Sequence, residues 1–460
     1  MTGENKLGVM PVPKLIWNMS LPIIASMLVQ ALYNIVDSMF VSMISEQALT
    51  AVSLAFPAQQ LMVSLASGTA VGISALLGRA LGAGDRKRAN AVACNGLFLA
   101  VLSSILSCVL ALFLSRTFFF AQTKVTEIIE MGTSYLLIVC CASQGIFLQI
   151  TFERLLQATG RSVLSMLTQG IGAIVNIILD PICIFVLDMG VAGAALATVV
   201  GQFCGTALAI YLNHTRNKEI HLDFHGFRPD KRIIGNIYAI GIPSVIMMAI
   251  GSVMTFLMNK ILITYHEAKE TAATVFGVYF KLNSFIFMPV FGLNNGVVAI
   301  IAYNYGARKR SRMLEAVKRS ATYALGIMLV GVILFWAVPE LLLSLFNATE
   351  TMVAVGVPAL RIISLSFPIA AICISMGGAF QATGKSVYSM INSFIRQLIV
   401  LIPAAFVLAR MGQRVGNHDL VWWSYPLAEV VALVVTLILF FRLKRTVIDT
   451  LPPVEEERPQ

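Results

Sequence analysis

The stretch at residues 171–187 reads IGAIVNIILDPICIFVL and places an amide and a carboxylate inside an otherwise apolar run. Asn176 and Asp180 are four residues apart, so on a helix they share one face. Pro181 has no N–H, so the carbonyl of Ile177 loses its usual helical donor. An Asp near the centre of a membrane helix costs about 2.5–3.5 kcal/mol on insertion scales. The stretch therefore predicts a buried polar site, held either by a packing hydrogen bond to a neighbouring helix or by a proton or cation.

The composition indicates a polytopic membrane protein. The chain has 460 residues, of which 58% are apolar and 12% charged, with a mean hydropathy of +0.83. Soluble proteins carry about 25% charged residues. The net charge of +10 does not indicate nucleic-acid binding, because the Lys and Arg residues lie mainly in short loops between apolar runs.

Twelve apolar segments are long enough to cross a bilayer, which takes about 20 helical residues each. We therefore predict an all-α protein with transmembrane helices at 15–44, 50–78, 90–115, 127–153, 162–187, 191–213, 233–264, 271–303, 314–338, 350–380, 386–409 and 420–441. The first segment is too long for a cleaved signal peptide, so we expect it to remain as an anchor. Several segments exceed the bilayer thickness, which predicts tilt or bending, helped by Pro22, Pro57, Pro243, Pro289 and Pro368.

The longest polar loop divides the chain into two halves of six spans. The predicted segments are an N-terminal segment at 1–14, an N-lobe at 15–213, an inter-lobe loop at 214–232, a C-lobe at 233–445 and a tail at 446–460. If the N-terminus is placed in the cytoplasm, 24 of the 33 Lys and Arg residues fall on the inner side, six on the outer side and three within spans. This excess in the inner loops predicts that both termini are cytoplasmic.

The two halves repeat each other at a fixed offset. One Gln-Ala-Thr-Gly loop begins at Gln157 and a second begins at Gln381, 224 positions later. Gly68 and Gly72 recur at the same offset in the eighth span, where we expect small residues to allow close helix packing. Because each repeat has an even number of spans, the halves share one orientation and are predicted to form two six-helix bundles related by a pseudo-two-fold axis along the membrane normal. Such a pair of bundles suits alternating access.

Several polar residues of the first half lie at one predicted depth. Four of them are each eight residues from the outer end of their span, or about 12 Å at 1.5 Å per residue. Two carboxylates at one depth repel each other unless a proton or cation neutralises them. Carboxylate, amide and hydroxyl oxygens suit a hard cation, and no Cys or His cluster indicates a transition metal. The predicted coupling-cation site comprises Asn34, Asp37, Tyr135, Asn176, Asp180 and Thr198, with Asp37, Asn176, Asp180 and Thr198 as the metal ligands if the ion is Na⁺.

The second half lacks this set, because its corresponding stretch at 399–405 reads IVLIPAA and keeps only the proline. This asymmetry places the predicted ion site in the first half. The second half has its own intramembrane charges, which either pair with one another or face a substrate: Lys281, Arg361, Arg396 and Glu429. Methionine lines adaptable binding surfaces, although it more often fills a core. The candidates for a substrate cavity are Met27, Met39, Met247, Met254, Lys281, Arg396 and Glu429.

These features resemble the multidrug and toxic compound extrusion (MATE) family over essentially the whole chain. The resemblance rests on the two Gln-Ala-Thr-Gly loops, the run LGAGD at 81–85, the run at 176–181, and Asn34 with Asp37. The run FIFMPVFGLNNGVVAIIAYNYGA at 285–307 is similar to the MepA-like bacterial branch.

The resemblance implies two six-helix lobes, export of organic cations, and coupling to inward Na⁺ or H⁺ flow. It also implies that the predicted cation residues fall where one branch of the family has its cation site, with Tyr135 beside it. Another branch relies on acids in the seventh and tenth spans. Since no Asp or Glu lies at 241–263 or 353–380, that mechanism is not expected here.

The favoured interpretation is a multidrug efflux transporter of the bacterial plasma membrane, exchanging cationic or amphipathic drugs for inward H⁺ or Na⁺ by alternating access. Its expected partners are drug substrates and the lipid bilayer, and we expect a monomer with no cofactor other than the coupling ion. The alternative is a lipid-linked oligosaccharide flippase or polysaccharide exporter of related architecture, in which the cations of the second half would attract a diphosphate. An enzyme is not expected, because the five histidines lie in loops and no nucleophile set lies within the spans.

Overall fold

The computed structural model describes residues 5–225, 227–346 and 349–451. Residues 1–4 of the predicted N-terminal segment and 452–460 of the predicted tail lie outside the described residues. The structure likewise does not describe the side chain of Lys269, one of the charges expected on the outer side.

The described residues form up to twelve membrane-spanning segments, which agrees with the predicted all-α architecture. Ten are single helices long and apolar enough to cross a membrane, and two further spans each consist of a bent pair of helices. No strand occurs in the described part of the chain. In chain order the spans are α1 Val12–Ser42, α2 Glu46–Gly82, α3 Arg86–Phe120, α4 Thr126–Cys141 with Gln144–Ala158, α5 Ser162–Pro181, α6 Gly190–Arg216, α7 Lys231–Tyr265, α8 Lys269–Gly306, α9 Arg310–Ala337, α10 Glu350–Ser364 with Phe367–Ala382, α11 Ser386–Val415 and α12 His418–Ile448, while Lys6–Val9 and Pro339–Ser344 form short additional helices.

Two helix breaks account for the sharpest bends. The two parts of α10 meet at 47° beside Pro368, where bending was expected. The two parts of α4 meet at 44° around residues 142–143, and no proline marks this break in the sequence. The helices that contain Pro22, Pro57 and Pro243 each continue through the proline as one helix.

The end of α5 departs from regular α-helix at Pro181. Directly after this proline the chain widens into a π turn at Ile182–Val186. Its backbone bond runs from the N–H of Leu187 to the carbonyl of Ile182 at 2.9 Å. Such turns are rare in helices and are frequent at functional sites.

The helices group into two bundles, here called the N-lobe (α1–α6) and the C-lobe (α7–α12). Most buried apolar side chains of α7–α12 belong to one core cluster, which also includes the N-terminal part of α1. Two further clusters fill the N-lobe, and one of them reaches the start of α7. The lobes are in contact mainly where α1 crosses α8 and where α2 crosses α7.

Glycines that repeat at the 224-residue offset lie at these two crossings. A Cβ atom at Gly292 of α8 would lie 2.7 Å from Ile24 Cγ1 and 2.9 Å from Ile24 Cα of α1. At the equivalent crossing, a Cβ at Gly68 of α2 would lie 2.9 Å from the carbonyl oxygen of Gly241 in α7. The absence of side chains therefore allows backbone-to-backbone approach between the lobes, as the sequence predicted.

We expect Gly292→Ala to destabilise the protein by about 1–3 kcal/mol, because the added methyl group meets the backbone of Ile24. The matched control is Gly277→Ala on the same helix, where no atom lies within 4 Å of the added methyl group. The control should be neutral or stabilising, since Ala is favoured over Gly in a helix. Thermal unfolding of both variants in detergent tests this, and equal midpoints would contradict close packing at the crossing.

The N-terminal segment ties the two lobes together at one end of the molecule. Leu7 is fully buried, and its carbonyl accepts hydrogen bonds from Asn304 Nδ2 at 3.0 Å and from Arg312 Nη2 at 3.2 Å, both in the C-lobe. Asn5 Nδ2 donates to the carbonyl of Thr159 in the N-lobe at 3.2 Å. The lobes are therefore packed against each other at the end where the Gln-Ala-Thr-Gly loops lie.

A candidate cation site in the N-lobe

The predicted residues of α5 and α6 form one hydrogen-bonded cluster. Asn176 Nδ2 donates to Asp180 Oδ1 and to Thr198 Oγ1, both at 3.3 Å. An amide nitrogen has two hydrogens, so both bonds form together. Asp180 is fully buried, while Asn176 and Thr198 are 2% and 8% exposed. The amide thus holds a carboxylate and a hydroxyl from two different helices in fixed relation.

Local sequence explains how α6 comes this close. Gly172 and Gly201 face each other at the crossing of α5 and α6, and a Cβ at Gly201 would lie 3.1 Å from Asn176 Cβ. A larger residue at position 201 would move Thr198 away from the amide. The i, i+4 spacing of Asn176 and Asp180 places both on the face that meets α6.

Two further helices contribute to the cluster. Asp37 of α1 is partly buried, and its carboxylate lies within electrostatic range of Asp180. Tyr135 of α4 is 2% exposed and lies within electrostatic range of both carboxylates, and Gln59 of α2 is beside its hydroxyl. The structure therefore brings together the four helices that the common depth predicted.

Three oxygen atoms of this cluster are buried without a hydrogen-bond partner among the described residues: Asp37 Oδ1, Asn176 Oδ1 and Asp180 Oδ2. An unsatisfied buried acceptor costs about 1–3 kcal/mol. A hard cation prefers such oxygen ligands, and a proton placed on either carboxyl group would also satisfy one of them. The chemistry of these three oxygen atoms therefore suits the binding of Na⁺ or H⁺.

Other predicted residues lie outside this cluster. Asn34 is exposed, and among the described residues no side-chain hydrogen bond connects it to the site. Met39 is 54% exposed, and Met27 and Met247 are half-buried. Met254 is 7% exposed in the C-lobe core and accepts a hydrogen bond from the Tyr425 hydroxyl at 3.9 Å, so it fills a core in this conformation.

The charged residues of the C-lobe have separate surroundings. Arg396 Nη1 lies 3.1 Å from Glu429 Oε1, and these side chains are 24% and 13% exposed. Lys281 Nζ lies 5.8 Å from the centre of the Phe346 ring. Arg361 lies 6.0 Å from the centre of the Trp336 ring. Of the two interpretations left open by the sequence, mutual pairing therefore describes Arg396 with Glu429.

Sequence reasoning missed three further polar residues of the N-lobe. Tyr33 of α1 lies within electrostatic range of Asp37 and Asp180. Gln59 of α2 lies beside Tyr135. The third is Glu153, the last residue of the predicted span 127–153, whose side chain is buried. Tyr33 precedes Asp37 by four residues, a spacing that could have identified it.

Comparisons with known proteins agree with this architecture. The sequence model of the MatE family matches residues 22–182 and 243–407. Multidrug export protein MepA of Staphylococcus aureus (strain bovine RF122 / ET3-1) is 26% identical over 447 residues, covering 97% of this chain and 97% of that protein. Its counterpart in Staphylococcus haemolyticus (strain JCSC1435) is also 26% identical, covering 96% of this chain and 97% of its own length.

Two solved structures share the fold. One is the outward-facing conformation of a multidrug resistance MATE family transporter of the MOP superfamily, with a TM-score of 0.90, 24% identity, and coverage of 97% of this chain and 100% of that one. The other is a MOP superfamily transporter from Pyrococcus furiosus, with a TM-score of 0.89, 24% identity, and coverage of 98% and 99%. Because the family match extends over more than half of the sequence and includes both lobes, the chain belongs to the MatE family of membrane transporters and is not an enzyme.

Proposed function

We propose that the protein exports amphipathic, often cationic, drugs from the cell in exchange for inward movement of H⁺ or Na⁺. The staphylococcal relatives are named multidrug export proteins, which supports the substrate class. We place both termini in the cytoplasm, because the Lys and Arg residues concentrate in the loops at one end. We further propose that the protein lies in the bacterial plasma membrane and acts as a monomer.

The observation that carries the proposal is the set of unpartnered oxygens on Asp37, Asn176 and Asp180. Three buried acceptors without donors are unfavourable, so the site gains free energy when an ion or proton binds. Such binding drives a conformational change only if the ion binds one conformer better than the other. Since α1 carries Asp37 and also crosses α8 of the C-lobe, neutralisation of Asp37 acts on a helix that belongs to the inter-lobe contact.

In this mechanism the outward-open protein takes an ion from outside at Asp37 and Asp180. Loss of the negative charge repositions α1 and favours release of the cationic drug. Ion release on the inner side restores the charge, which again favours a cationic substrate. The requirement is that ion and drug stabilise opposite conformers, so that each lowers the affinity for the other.

The flippase alternative gains no support from the C-lobe. It requires several free cations that converge on a diphosphate. Arg396 is instead paired with Glu429, and the two other cations lie against separate aromatic rings. One of the three cations is therefore neutralised, and the contacts of the other two do not place them at one site.

The test uses purified protein in lipid vesicles and radiolabelled tetraphenylphosphonium as the lipophilic cation. A pH gradient and a sodium gradient are applied separately, at matched membrane potential. We expect one of the two gradients to drive accumulation of the probe by about tenfold or more over protein-free vesicles. If neither gradient moves this probe or a second organic cation, the proposed coupled export is wrong.

A further inference from the structure

A second buried carboxylate of the N-lobe has no part in the mechanism above. Glu153, in the second helix of α4, is 8% exposed. Its Oε1 accepts hydrogen bonds from Gln149 Nε2 at 3.0 Å and from Thr168 Oγ1 of α5 at 3.1 Å. Among the described residues it forms no salt bridge, and the adjacent Arg154 donates instead to Gln157 Oε1 at 3.1 Å. A buried carboxylate without a salt-bridge partner is costly in a membrane helix and points to a functional role.

This carboxylate adjoins the same face of α5 that forms the cation site. Along that face the buried residues occur every three or four positions: Asp180, Asn176, Gly172, Thr168 and Ser165. From the first to the last the helix advances 15 residues, or about 22 Å. The hydrocarbon core of a bilayer is about 30 Å thick. One buried helix face therefore connects the cation site with the end of α5 at which the Gln-Ala-Thr-Gly loop lies.

Glycine at the centre of this face leaves room for a side chain from α4. A Cβ at Gly172 would lie 3.6 Å from Gln149 Nε2, and a Cβ at Gly205 of α6 would lie 2.8 Å from the same atom. The amide of Gln149 thus occupies space that larger residues at 172 and 205 would fill. It donates to Glu153 and lies beside Gly172, which is one helical turn from Asn176 on the same face of α5. The polar surroundings of Glu153 therefore extend to within one turn of the cation site.

The hydrogen bonds around Glu153 suit both of its protonation states. Thr168 Oγ1 has one hydrogen but two acceptors in reach, Glu153 Oε1 at 3.1 Å and the carbonyl of Ser165 at 2.7 Å. When Glu153 is ionised, the hydroxyl donates to the carboxylate. When Glu153 is protonated, the carboxyl group donates to Thr168, whose own hydrogen then turns to Ser165. Ser165 Oγ in turn accepts a hydrogen bond from Gln157 Nε2 at 2.9 Å. Gln157 is the first residue of the Gln-Ala-Thr-Gly loop, so this bond connects the surroundings of Glu153 with the loop.

Two ionisable side chains interact electrostatically with Glu153. Arg154 lies beside it on α4, and Tyr33 of α1 lies within electrostatic range. The neighbours described above on α5 and α6 are uncharged. Tyr33 also lies within electrostatic range of Asp37 and Asp180, so it interacts with the carboxylates of the cation site as well as with Glu153.

We propose that Glu153 is a second proton-binding carboxyl group of the N-lobe, through which the coupling proton passes from Asp37 and Asp180 towards the Gln157 loop. The inference rests on the proposed function in its proton-coupled form. One proton leaves a carboxyl group of the cation site, is accepted by Glu153, and is released at the loop end. Glu153 then returns to its ionised state, so that protons balance over the cycle.

The test separates net proton-driven transport from exchange that moves no proton. Wild type and Glu153→Gln are reconstituted in vesicles, and two rates are measured with tetraphenylphosphonium: accumulation driven by a pH gradient, and exchange of labelled for unlabelled probe at equal pH. We expect Glu153→Gln to lose about tenfold or more of the driven rate while exchange stays within about twofold. Glu153→Asp, which keeps a titratable group, should recover part of the driven rate.

Glu130→Gln is the matched control, because it removes an exposed carboxylate from the same span and should leave both rates unchanged. Infrared difference spectra between low and high pH supply a second readout, in which Glu153→Gln should lose one protonated-carboxyl band. The inference is overturned if Glu153→Gln keeps the driven rate, or if it loses exchange equally. It also fails, with coupled export intact, if a sodium gradient alone drives the wild type. Failure of the wild type under both gradients instead overturns the proposed function.

Discussion

Asp180→Asn is expected to lose ion-driven export by about a hundredfold or more. The amide is close to isosteric with the carboxylate, so the hydrogen bond to Asn176 and the packing of α5 on α6 are retained in outline. It carries no negative charge, however, and at physiological pH it neither binds nor releases a proton. The variant therefore resembles a permanently neutralised site, which favours one conformer and cannot cycle. The measurement is accumulation of tetraphenylphosphonium in vesicles under the gradient that drives the wild type.

The control for this substitution is Asp188→Asn in the loop after α5. Asp188 is exposed and has a positive φ of 50°, a backbone conformation that Asn tolerates as well as Asp does. This variant removes an equivalent charge from the same part of the chain without touching the site, and its export should match the wild type. Asp37→Asn should share the defect of Asp180→Asn. Full export by both site variants would show that the cluster is structural only.

Glu429→Ala is expected to destabilise the C-lobe strongly. It removes the partner of Arg396 and leaves a guanidinium mostly buried among the helices. Breaking a buried ion pair from one side typically costs 3–5 kcal/mol. Because Arg396 keeps 24% of its side-chain surface exposed, we expect about 3 kcal/mol. Thermal unfolding in detergent provides the measurement.

The double variant Arg396→Met/Glu429→Ala distinguishes an uncompensated charge from lost packing. With both charges removed, most of the stability should return, since buried pairs are often replaced by apolar residues without loss. The exposed pair Glu315 and Arg319, 3.9 Å apart, supplies a comparison, and Glu315→Ala should change stability by less than about 1 kcal/mol. A double variant as unstable as Glu429→Ala would show that the charge of Arg396 is not the cause.

Much of the architecture followed from hydropathy, because the bilayer imposes its thickness on every span and excludes unpaired backbone groups. Predicted and observed helix ends mostly agree within a few residues, and the span predicted at 162–187 is observed at Ser162–Val186, which is α5 together with the π turn that follows it. The repeated loops located the two lobes. The i, i+4 pair of Asn176 and Asp180 identified the polar face of α5, since helical periodicity alone decides which residues share a face.

The sequence by itself therefore determined the all-α membrane architecture and the face of α5 on which the predicted polar residues lie. Only the tertiary structure decided which neighbours meet that face. The break in α4 carries no proline, and it separates Tyr135 in the first helix from Glu153 in the second. The pairing of Arg396 with Glu429 likewise depends on how α11 and α12 pack. The physical reason is that burial and hydrogen bonding between helices depend on crossing positions, which residue spacing along one helix does not contain.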